Sequence, residues 1–137
     1  MKTLVLALTL ATATFTGAAL APLPAQANDG VRIFEIIPAN RAQTRILRRG
    51  LAEIAAQEGA RSGAHVSQTG SNNAAAIGQN GRRSTALIHQ QGNGHTGSVM
   101  QTGNNNTQGL FQIGENTEYH VNQVGRRQAR LTIVVGN

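Results

Sequence analysis

The sequence predicts an all-β fold, a β-solenoid of 22-residue strand–turn–strand repeats with a short α/irregular N-terminal arm. Three observations predict it. Glutamine recurs at Gln57, Gln68, Gln79, Gln90, Gln101, Gln112 and Gln123, in steps of 11 residues without an insertion. Glycine follows two residues later each time, at Gly59, Gly70, Gly81, Gly92, Gly103, Gly114 and Gly125. From Val66 on, an aliphatic residue stands two places before each glutamine: Val66, Ile77, Ile88, Val99, Leu110 and Val121.

Composition excludes several function classes. Among 137 residues there is no Cys and no Trp, and aromatics are 3%. A disulfide framework, a thiol nucleophile and a thiolate zinc site are therefore impossible. So few aromatics argue against a deep ligand pocket in a mixed core. Charged residues are only 13% and glycines number 16, which suits a repetitive architecture better than a disordered polyelectrolyte.

In chain order, residues 1–27 read as a secretory signal peptide. Met1 and Lys2 form a basic start, residues 3–20 are small and apolar, and Ala25-Gln26-Ala27 fits cleavage before Asn28. Lys2 is the only lysine, so the chain that remains is basic through arginine alone.

Residues 28–61 form the N-terminal arm. Residues 31–37 read as a short strand that Pro38 ends. Ile46, Leu47, Leu51, Ile54 and Ala55 fall at helical spacing over residues 41–57. Gly50 weakens that helix by about 1 kcal/mol. Three readings stand side by side: a disordered targeting arm, a helix capping the first rung, and a degenerate half-unit at 51–61 that keeps the 11-residue phase through Gln57 and Gly59.

Residues 62–137 form the repeat region, divided as 62–83, 84–105, 106–127 and a partial 128–137. Each half-unit alternates with period two, as in Ser62, Ala64, Val66, Gln68 and in Asn73, Ala75, Ile77, Gln79. Gly then ends the strand, with Asn, Gly or Arg after it supplying positive-φ turn conformations. Two half-units make one rung, and rungs stack about 4.8 Å apart. Gln68, Gln90 and Gln112 then form one ladder and Gln79, Gln101 and Gln123 the facing one. Ser62, Asn73, Ser84 and Asn106 supply small polar stacking positions, the aliphatics fill the core, and Gly70, Gly81, Gly92, Gly103, Gly114 and Gly125 make the turns. The geometry is cross-β stacking within one chain.

The pattern Ser62-x5-Gln68-x-Gly70-x2-Asn73-x-Ala75-x3-Gln79 resembles the curlin repeat position for position. The unit from Ser84 keeps Gln90, Gly92 and Gln101 but has His95 and Gly97; the unit from Asn106 keeps Gln112, Gly114 and Gln123 but has Thr117 and Tyr119. The resemblance implies a secreted structural subunit of curli amyloid fibres, outside the cell at the bacterial surface, in adhesion and biofilm matrix. It implies no enzyme activity and no cofactor. The implied partners are further copies, other curlin subunits, and the curli secretion and assembly machinery. An anionic outer-membrane surface is a further partner suggested by charge; nucleic acid is not expected.

The last half-unit departs from the pattern. Gln128, Arg130, Thr132 and Val134 hold the inward phase, whereas the apolar residues are Leu131, Ile133 and Val135. We expect from this a one-residue shift that inverts the strand. Arg126, Arg127 and Arg130, with no acid nearby, are candidate partner or surface contacts, and a basic, divergent last repeat resembles that of the minor, nucleating curlin. From a different class, the same features suit a soluble Arg-rich solenoid binding anionic polysaccharide, lipid or nucleic acid. The four histidines lie on different units, only His95 inward, so no metal site is expected.

Overall fold

The computed structural model describes residues 30–57 and 63–137. The signal peptide, its cleavage site and Ser62 lie outside the described residues. The elements are β1 (Arg32–Ile36), α1 (Arg41–Gln57), β2 (Ala64–Thr69), β3 (Ala74–Asn80), β4 (Thr85–Asn93), β5 (Thr96–Thr102), β6 (Thr107–Glu115), β7 (Glu118–Val124) and β8 (Ala129–Val135). They build a β-solenoid of about three turns with one helix near the N-terminus.

Two sheets face each other. Sheet A has the order β1-β8-β6-β4-β2 and sheet B the order β3-β5-β7. Within the solenoid all pairing is parallel and every register step is 22 residues: Gln68 opposite Gln90, Gln90 opposite Gln112, Gln79 opposite Gln101, Gln101 opposite Gln123. Equal unit length is what permits this, because one inserted residue would turn a whole strand inside out. The inner cluster between the sheets consists of Ala86, Ile88, Val99, Leu110, Val121 and Val134.

The last strand corrects the expected inversion. β8 keeps the 22-residue phase, with Thr132 on Leu110 and Val134 on Gln112. Thr132 and Val134 are fully buried on the inner side. Ala129 and Leu131 are buried as well, on the outer side, where they join Leu87, Phe111, Leu47, Leu51, Ala55 and Ile36. The strand is buried on both faces because α1 covers the outer one. It has not changed register.

The arm is likewise settled by packing. Asn40 caps α1, its Oδ1 accepting the Gln43 backbone N–H at 2.9 Å while Gln43 Oε1 accepts the Ala39 N–H at 2.8 Å. The helix runs through Gly50 and ends at Gln57, so no half-unit forms at 51–57. Nor does it cap the first rung. Leu51, 2% exposed, descends onto Gly109, where a side chain would collide with it. β1 pairs antiparallel with β8, Ile33 opposite Val134 and Ile36 opposite Leu131. The arm therefore closes the C-terminal end of sheet A.

Candidate functional site

The glutamines point inward because they occupy alternate places on strands whose register is fixed. Gln68 Nε2 donates to Gln90 Oε1 at 2.7 Å, and Gln90 Nε2 to Gln112 Oε1 at 2.7 Å. In the facing sheet Gln79 donates to Gln101 and Gln101 to Gln123, both at 2.8 Å. Four of these amides also donate across to the other sheet. Gln79 reaches Gly63 O at 3.1 Å, Gln90 Ala74 O at 2.9 Å, Gln101 Thr85 O at 3.1 Å and Gln112 Thr96 O at 2.9 Å. Gln90, Gln101, Gln112 and Gln123 are buried to within 2%. An unpaired amide there would cost roughly 1–3 kcal/mol, so ladder and cross-links together make the polar interior tolerable.

The aliphatic positions form the dry part of the core. Ile88, Val99 and Leu110 are fully buried and Val121 nearly so, Ile77 is partly buried, and Val66 on the first rung is 40% exposed. The small polar positions do not join the glutamine ladders. Asn73 Nδ2 donates to Gly92 O at 2.9 Å, Ser84 Oγ to Gly103 O at 3.2 Å and Asn106 Nδ2 to Gly125 O at 2.9 Å. Each thus ties its own strand start to the turn glycine of the next rung.

The turns need glycine for two reasons at once. Gly92 has φ +126°, and a side chain there would strike the carbonyl oxygen of Gly114 one rung on. Two residues after each turn glycine the backbone is left-handed again, at Asn72, Arg83, Gly94, Asn105, Asn116 and Arg127. Asparagine and glycine suit that region; the two arginines do not.

The three arginines singled out from sequence separate into two places. Arg126 and Arg127 are exposed on the β7–β8 turn. They continue a corner column that starts at Arg82 and Arg83 and passes through Asn104 and Asn105, with Arg127 N–H donating to Asn104 O at 3.0 Å. Burial first, then Arg127, lowers the Arg48 pKa below its ordinary value. Arg130 lies in β8 opposite Gln108 and is half-buried. His95 is buried between Thr117 Oγ1 at 2.7 Å and Gln91 O at 3.1 Å. Among the described residues no cluster could hold a metal ion.

Sequence reasoning missed the pair that latches the arm. Tyr119 donates its hydroxyl to Glu35 Oε1 at 3.0 Å, joining sheet B to β1. Burial, and then the Glu35 hydrogen bond, push the phenol pKa up to about 12. The helix-covered face was missed too. Its signal was present: Leu87 and Phe111 stand at outward places of the repeat, where solvent-facing residues should be polar.

Comparison with protein-family models matches the Curlin associated repeat over residues 59–92 and 81–114. No curated protein and no solved structure matches. The two matched stretches are offset by 22 residues, the spacing of the rungs, and end before β7 and β8. This repeat family is structural rather than enzymatic. The chain thus carries curlin-associated repeats in the register of its stacked rungs.

Proposed function

We propose that this chain is a subunit of extracellular curli-type fibres that nucleates their growth at the cell surface, in adhesion and biofilm matrix. Its partners are other curlin subunits and the curli secretion and assembly machinery. Residues 1–27 serve as the export signal, residues 28–61 as the arm and residues 62–137 as the assembling unit. The observation that carries the reading is the pair of continuous glutamine ladders running through two parallel sheets. Such ladders and backbone pairing extend without limit when edges are left open, which ordinary monomeric proteins avoid. The basic, divergent last half-unit favours a nucleator over a bulk fibre subunit.

One observation favours a second reading, adhesion to an anionic polymer. Arg82, Arg83, Arg126 and Arg127 share one corner of the solenoid, all exposed. Purified chain, alone and mixed with a second curlin, is to be followed by thioflavin fluorescence and fibre diffraction. Fibres with a spacing of about 4.8 Å that need the second curlin support nucleation. Unaided fibres indicate a bulk subunit. A lasting monomer whose anion binding fades with salt indicates the second reading.

A further inference from the structure

The two ends of the solenoid are unlike. At the first-rung end, β2 and β3 lie in one rung and are both outermost strands of their sheets. Val66 is 40% exposed there, whereas Ile88 and Leu110 above it are buried completely. Gln68 and Gln79 are exposed too. At the other end sheet A runs two strands beyond its last complete rung, through β8 and β1, while sheet B stops at β7. The pairing turns antiparallel at β1. Val31, Ile33 and Tyr119 cover the inner cluster, and the Tyr119–Glu35 bond latches them.

The ladders also have a direction. Each of the four glutamine–glutamine bonds runs from Nε2 of one rung to Oε1 of the next toward the C-terminus. The cross-sheet bonds use the other proton and fix which way each amide faces. At the open end Gln68 and Gln79 therefore present carbonyl oxygens, which accept nothing among the described residues. An incoming rung must supply donors in both sheets.

A second copy does not supply them. Its C-terminal end offers Val134, not glutamine, in sheet A, beneath an antiparallel strand. Its outermost strands there, β1 and β7, differ in height by two strand spacings, about 10 Å, so they cannot both meet a flat rung. Two first rungs set face to face would oppose acceptor to acceptor.

Resting on the fibre-subunit reading above, we propose that the β2–β3 rung is the one docking surface of this chain. Its occupant is the C-terminal rung of a different curlin-repeat chain that ends on a complete, uncapped rung with glutamine at both inward positions. The β1–Tyr119 cap closes the opposite end, so growth proceeds in one direction.

The test uses a soluble polypeptide of curlin-type units with glutamine at both inward places of every unit. A substoichiometric amount of this chain is expected to shorten its thioflavin lag several-fold. Val66→Lys, on the exposed inner position of β2, should lose that shortening, and Arg32→Glu, exposed on β1, should keep it. Both variants are first compared with the parent by circular dichroism and urea midpoint. Hydrogen exchange of the parent bound to the polypeptide tests the same point without a substitution. Protection should rise in β2 and β3 and stay unchanged in β1. Shortening by Val66→Lys equal to the parent's, its loss in Arg32→Glu, or new protection confined to β1 overturns one-ended docking while leaving the fibre reading intact. Unaided fibres of this chain overturn the cap. No shortening by the parent sinks the nucleating reading itself.

Discussion

Replacing Gln90 by Leu should destabilise the chain more than its size and burial suggest. Gln90 is fully buried, accepts from Gln68, and donates to Gln112 Oε1 and Ala74 O. Leucine fills nearly the same volume but leaves Gln112 Oε1, also fully buried, without its donor. That orphan costs roughly 1–3 kcal/mol. Gln68 and Ala74 are exposed and can turn to water, so each adds only about 0.5 kcal/mol. The apolar gain of the leucine offsets about 1 kcal/mol. The net is a loss of about 2 kcal/mol, read as a fall in the urea midpoint of about 1–2 M by far-ultraviolet circular dichroism. Gln68→Leu, Gln90→Leu and Gln112→Leu combined leave no amide unpaired in that ladder. The triple variant should therefore cost less than the sum of the three singles, by about 2 kcal/mol. A neutral Gln90→Leu, or a triple equal to that sum, refutes the view that the ladder is a unit of coupled amides.

Four further outcomes are expected. Gly92→Ala should cost roughly 2–5 kcal/mol, from backbone strain and collision with the Gly114 carbonyl, and urea unfolding checks it. Arg83→Asn should raise the urea midpoint by an equivalent of about 1 kcal/mol, because Asn tolerates the left-handed backbone at φ 57°. Leu51→Ala should cost about 2–5 kcal/mol in thermal unfolding and loosen α1 from Gly109, visible as faster exchange of helix amides. Tyr119 holds its proton more tightly folded than unfolded, so its contribution is intact below pH 10 and is lost as pH rises toward about 12; Tyr119→Phe should abolish that decline in a pH series of melting temperatures.

The solenoid was legible because its signal is exact spacing, which registers, strands and turns all inherit. Gln68 to Gln123 could be assigned to two ladders by counting alone. What counting could not do was assign a role to residues outside the period. Ser84, Asn73 and Asn106 share a place in the repeat, yet a short side chain there reaches a turn carbonyl before it reaches its own kind. Leu131 and Ile133 misled for a physical reason. Strand alternation reports which face is buried only when the other face meets water, and here α1 removes water from both. The helix itself was readable from Leu47, Leu51 and Ala55, but its docking site depends on contacts distant in sequence. The outward Leu87 and Phe111 were the clue that those contacts existed.

The covered face also bears on how filaments could lie side by side. On sheet A the flat surface over β4, β6 and β8 is occupied by α1, so nothing can press against it there. Sheet B keeps an open outer face, with Met100 at 52% and Val124 at 64% exposure among small and polar neighbours. A fibre containing this subunit would have, at that subunit, one side free for bundling and one side shielded. Its cross-section there is that of a ribbon with a back and a front.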